Sequence, residues 1–106
     1  MSNVIHANTQ EFQNLISQNE VVFVDFFANW CGPCKMLAPI VEELADKHPE
    51  VKVVKIDVDA ESSLAMQYQV QSIPTLITFK NGQPVARQLG FNYRIKYPNG
   101  ITTPSG

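Results

Sequence analysis

Cys31 and Cys34 are the only cysteines of this chain and its best candidates for covalent chemistry. Gly32 and Pro33 separate them, and the single tryptophan, Trp30, comes directly before. The nucleophilic form of a cysteine is the thiolate. A helix N-terminus, with its unpaired N–H groups and positive dipole end, favours that charge. A spacing of three residues, nearly one helical turn, places both sulfurs on one face and within reach of a disulfide. The chemistry that follows is dithiol–disulfide exchange, in which one sulfur attacks a disulfide and the other releases the product. Two other uses remain open. A structural bridge across so short a loop would stabilise by only about 2 kcal/mol. A zinc half-site would need His6 and His48, or a second chain, to complete it. Pro33 between the thiols and the strand-to-helix setting favour exchange.

Asp25 is the second candidate. It interrupts Val21-Val22-Phe23-Val24-Asp25-Phe26-Phe27, a run apolar on both faces, as in a central strand covered by helices on each side. A carboxylate in such a strand is desolvated, so its pKa should rise. Beside a thiol pair its natural task is proton transfer.

The elements that would hold these residues follow from periodicity and caps. Val4-Ile5-His6 reads as a short strand, with no chemical role for His6. Asn8 and Glu11 have capping-box spacing, and Phe12, Leu15 and Ile16 give the following helix an apolar face. A second helix is expected from Cys31 to Lys47, interrupted by Pro39 and stopped by Pro49. A strand follows over Val51 to Asp57. Asp59 is expected to cap a third helix through Ala60–Tyr68, and Met36 and Met66 are expected to fill core. After Ile73-Pro74-Thr75 comes a strand at Leu76–Lys80. Asn81-Gly82 is a hairpin signal, so Gln83–Leu89 should return antiparallel. This order predicts an α/β fold, a mostly parallel sheet with helices on both faces and one antiparallel edge pair.

The totals bound the function. The chain has 106 residues, enough for one domain, with 44% hydrophobic and 17% charged residues. A formal charge of −2 and the lack of any basic run argue against nucleic-acid binding. No apolar run is long enough to span a bilayer. Residues 1–6 carry no signal-peptide pattern, so two cysteines point to a reducing, cytoplasmic setting.

With Asp25, Trp30-Cys31-Gly32-Pro33-Cys34, Ile73-Pro74-Thr75 and the Asn81-Gly82 hairpin in this order, the chain resembles the thioredoxin family over residues 1–90. The association of this motif with that family is long established and is not deduced from the spacing. The resemblance implies a three-layer fold with a mixed central sheet. It implies a general protein-disulfide reductase, with Cys31 attacking, Cys34 resolving and Asp25 as the acid–base group for Cys34. It places Lys55 near that carboxylate and Pro74, as a cis-proline, beside the disulfide. It assigns Trp30, Gly32, Pro33, Ile73 and Gly90 to the groove where oxidised substrate proteins dock. It also implies a flavin-dependent, NADPH-dependent thioredoxin reductase as electron donor, and no bound cofactor.

Two departures stand out. Phe27 occupies a position where the family usually has tryptophan. The closing amphipathic helix that follows the position of Gly90 is missing from residues 91–106, an atypical tail. There Phe91, Tyr93, Ile95 and Tyr97 alternate with Asn92, Arg94 and Lys96, a strand pattern. The sheet face that the helix would cover needs another cover: the tail folded back, a second chain, or neither in a weakened protein. The expectation is that residues 91–97 extend the last strand and pair between chains as a homodimer. A binding module on the same fold, with weakened redox activity, is the alternative function.

Overall fold

The computed structural model describes residues 3–89, 95–98 and 100–101. The elements are β1 (Val4–His6), α1 (Thr9–Gln18), β2 (Val21–Phe27), α2 (Gly32–Lys47), β3 (Lys52–Asp57), α3 (Ser62–Gln67), β4 (Thr75–Lys80) and β5 (Gln83–Leu89). They form one five-stranded sheet in the order β1-β3-β2-β4-β5. Capping starts α1 as its sequence requires: the Asn8 side chain accepts from the Glu11 N–H at 2.8 Å, and the Glu11 carboxylate accepts from the Asn8 N–H at 3.0 Å. Among the described residues no helix is long and apolar enough to cross a membrane.

Strand β2 lies at the centre, and from Val22 to Phe27 it is buried throughout. Its alternate side chains serve two cores. Val22, Val24 and Phe26 pack with Phe12 of α1 and Leu64 of α3 on one face. Phe23 packs with Leu37, Val41 and Leu44 of α2 on the other. Helices on both faces are as expected, but the strand directions differ from a mostly parallel sheet. β3 runs parallel to β1 and β2, whereas β4 is antiparallel to β2 as well as to β5. The reason is length. The six residues of α3 advance about 9 Å, against about 20 Å for a strand of six. The chain is not carried back along the sheet, so β4 starts at the end where β3 finished.

The α2 face is closed from within the chain. Ile95 and Tyr97 are buried in the α2-side core, Tyr97 with its ring 4.9 Å from that of Phe23. The Gln88 side chain clamps the Lys96 backbone from both sides, donating to its carbonyl at 2.7 Å and accepting from its N–H at 2.8 Å. The Tyr97 N–H donates to the Ile101 carbonyl at 2.7 Å. Ile95 and Tyr97 therefore lie on the α2-side face of the sheet, and residues 91–94 of the expected strand extension lie outside the described residues. These two side chains thus cover part of the α2 face in cis. Gly90, Phe91 and Tyr93 lie outside the described residues.

Candidate active site

The site sits at the carboxyl ends of β2 and β3, where the chain leaves the sheet. Cys31 is the N-cap residue of α2, and Pro33 occupies its first turn, where a missing N–H costs nothing. The Cys31 Sγ accepts from the Cys34 N–H at 3.2 Å. A helix N-terminal donor is thus aimed at this sulfur, the arrangement that stabilises a thiolate. The two cysteines are joined as a disulfide with Cα atoms 5.3 Å apart. Both are buried against Phe27, Ala28 and Ile73, and the Cys31 sulfur lies 3.9 Å from the Ile73 carbonyl oxygen.

Around the disulfide the surface is open and largely apolar. Trp30 is 71% exposed, Gly32 and Pro33 are exposed, and Ile73 is half-buried. Pro74 is buried and its bond to Ile73 is cis. A Cβ built on Gly32 would meet nothing within 4 Å, so the rim there is free for an approaching chain. The Trp30 indole is fixed by its Nε1–H, which donates to Asp59 Oδ2 at 2.9 Å. Asp59 was expected to cap α3. The residue at that cap is Glu61, without a side-chain cap bond, because α3 starts at Ser62 rather than Ala60. Met36 and Met66, expected in the core, are exposed.

Asp25 lies on β2, two residues before Phe27, which packs against the disulfide. It is fully buried, and neither carboxylate oxygen has a hydrogen-bond partner among the described residues. Burial pushes its pKa from 3.8 up to about 6, and the Lys55 ammonium pulls it partly back. Lys55 is its direct cross-strand neighbour on β3. A cleft of about 160 Å³, lined by Cys34, Lys55, Phe27 and His6 among others, leads from the Cys34 side of the disulfide to the surface. At about 30 Å³ per molecule it has room for a few waters.

Cys31, Cys34, Ile73 and Phe27 thus meet in one cluster, with Asp25 and Lys55 adjoining it. His48 does not belong to it. It is the C-cap of α2, at the far end of a 16-residue helix from Cys31, so the zinc site imagined from His6 and His48 has no geometry to support it. Sequence reasoning missed Asp59 as the anchor of Trp30, and gave no part in exchange to His6, which lines the cleft. The signal for Asp59 was its position just past β3, since loops at the carboxyl ends of strands carry sites.

Comparison with known proteins agrees with this geometry. A family model described as thioredoxin matches residues 3–98, running past Gly90 into the tail. The chain is 46% identical over 92 residues to the thioredoxin of Haemophilus influenzae, which covers 85% of this chain and 86% of that one. It is 45% identical over 82 residues to thioredoxin-1 of Saccharomyces cerevisiae, covering 77% and 80%. Among solved structures, a thioredoxin of Plasmodium falciparum superposes with a TM-score of 0.81 at 43% identity, covering 83% of this chain and 87% of that one.

Proposed function

The chain belongs to the thioredoxin family of protein disulfide reductases, and from that premise we propose the part each residue plays. Cys31, as thiolate, attacks one sulfur of a substrate disulfide. A Cys31–substrate mixed disulfide forms, and the first substrate thiolate leaves and takes up a proton. Asp25, as carboxylate, accepts the Cys34 proton through water in the cleft. The Cys34 thiolate then attacks the Cys31 sulfur, the second substrate thiolate leaves and is protonated, and the Cys31–Cys34 disulfide remains. Two electrons have passed to the substrate, whose two thiolates take one proton returned by Asp25 and one from solvent. The observation that carries this reading is the Cys34 N–H held 3.2 Å from Cys31 Sγ at the start of α2.

Trp30, Gly32, Pro33, Ile73 and Pro74 form the surface on which the substrate docks, with Gly90 assigned there by resemblance alone. Lys55 supports the charge of Asp25. Substrate proteins and thioredoxin reductase are the partners of the family, and the finer reading is a reductase drawing on NADPH in the cytoplasm. Residues 1–90 are read as the working domain and residues 91–106 as an atypical tail, of which Ile95 and Tyr97 cover the α2-side core. A formal charge of −2 supports action free of nucleic acid. Ile95 and Tyr97 docked in cis favour a monomer over a tail-paired dimer.

Reduction of insulin driven by dithiothreitol tests the assignment. Cys34→Ser should lose turnover and accumulate a mixed disulfide at Cys31. Equal turnover by wild type and variant would reject the mechanism.

A further inference from the structure

We propose that Phe27 is a positioning residue of the exchange site: the face of its ring holds the Lys55 ammonium beside Asp25, and His6 braces the ring from the edge of the sheet. The inference rests on the reading of Asp25 as the acid–base group.

The register supplies the frame. Lys55 is the cross-strand partner of Asp25, and His6 is the partner of Lys55, so the three stand in a row across β1, β3 and β2. Adjacent strands are about 4.8 Å apart. Phe27, two residues beyond Asp25 on β2, points to the same face. The Lys55 Nζ lies 4.5 Å from the centroid of the Phe27 ring. The His6 ring meets that same ring edge-on, with centroids 6.0 Å apart and planes at 85°. His6, Phe27 and Lys55 all line each of two surface clefts. One reaches Cys34 and Lys35, and the other, of about 170 Å³, reaches Asp57 and Glu61. The three side chains are therefore the wall between a dithiol side and an acidic side.

The position of the ammonium on that wall matters because Asp25 has no hydrogen bond among the described residues to steady its charge. The charge of Lys55 is what favours its ionised form, and that influence weakens with distance. Lysine has a long flexible stem and a strongly hydrated head. Unheld, the ammonium would move into the acidic cleft, toward Asp57 and Glu61 and away from Asp25. The negative face of an aromatic ring opposes that move, and an aliphatic side chain of similar bulk does not. The charged and titratable groups around the pair are His6 on β1, Asp57 on β3, Cys34 and Lys35 on α2, and Glu61 at the start of α3.

The test follows the Asp25 carboxyl by carbon NMR in the oxidised protein from pH 4 to 9. Phe27→Leu should raise its midpoint by about half a pH unit, and Phe27→Met should do the same if the leucine variant folds poorly. Phe27→Tyr, which keeps the ring, should stay with wild type. In a Lys55→Met background Phe27→Leu should move nothing further, because the cycle isolates the pair. A midpoint unmoved by loss of the ring, or moved equally without Lys55, overturns the proposal. The pH profile of mixed-disulfide resolution separates this from the underlying reading. If the midpoint shifts while that profile stays fixed, Asp25 is not the acid–base group, although Phe27 still places Lys55.

Discussion

Asp25 is costly to the fold at the pH where it is useful. Its carboxyl titrates at 3.8 when free and at about 6 in the fold. Below about pH 3 both states hold the proton and nothing is lost. Between pH 4 and 6 the native state keeps a proton that the unfolded chain has released, so stability falls as pH rises; above 6 the loss is constant. At 1.36 kcal/mol per unit the full loss is about 3 kcal/mol, a large share of a typical total of about 5–15 kcal/mol. Asn resembles the protonated group. Urea titrations should therefore find Asp25→Asn more stable than wild type by up to about 3 kcal/mol at pH 7, the difference vanishing by about pH 3. A difference as large at pH 3 as at pH 7 would refute the desolvation account. The same variant should resolve the mixed disulfide about 100-fold more slowly at pH 7. Stopped-flow measurements should show the two rates converging below pH 5, where wild-type Asp25 is itself protonated.

At the scale of elements, the parts that were legible are those decided by local pattern. The Asn8 capping box, the apolar β2 and the Asn81-Gly82 turn, where Asn81 and Gly82 both take positive φ, each formed as their residues dictate. The direction of β4 was not legible, because it depends on how far α3 carries the chain. Nor was the part of His6 and Phe27, since the sequence does not state which strands pair in what register. The tail shows the same limit. Alternation established that Ile95 and Tyr97 share a side, but it is silent on the surface that buries them. That surface is the α2-side core, and two substitutions probe it. Ile95→Ala should cost about 2–5 kcal/mol through the cavity it leaves. The Tyr97 hydroxyl is buried without a partner among the described residues, and burial, with the Glu50 carboxylate, pushes its pKa far above the usual tyrosine value. Tyr97→Phe removes that unpaired group and should stabilise by about 1 kcal/mol. Thermal unfolding of both variants checks the docking, and two unchanged midpoints would contradict it.

For the whole molecule the question is whether one chain can close itself. Its sheet has edges at β1 and β5. β5 is exposed along most of its length, with Val85 and Leu89 about three-fifths uncovered. That edge is blunted by Pro84, which cannot donate to a ladder, by an irregularity opposite Thr78 and Phe79, and by Arg87, whose guanidinium bonds the Tyr68 and Gln69 carbonyls. The faces are closed by α1 and α3 on one side, and by α2 with Ile95 and Tyr97 on the other. Burying those two side chains contributes about 3–6 kcal/mol, enough to decide whether a fold of ordinary stability persists. Intact, the protein should scatter light as a monomer at every concentration, because among the described residues no apolar face is left that requires a partner. A chain ended at Leu89 would lose that contribution and uncover the ring of Phe23 and its neighbours. It should unfold at lower urea and gain mass as its concentration rises. A full-length mass that doubles with concentration, or a truncated chain as stable as the whole, would show that the cover is not supplied in cis.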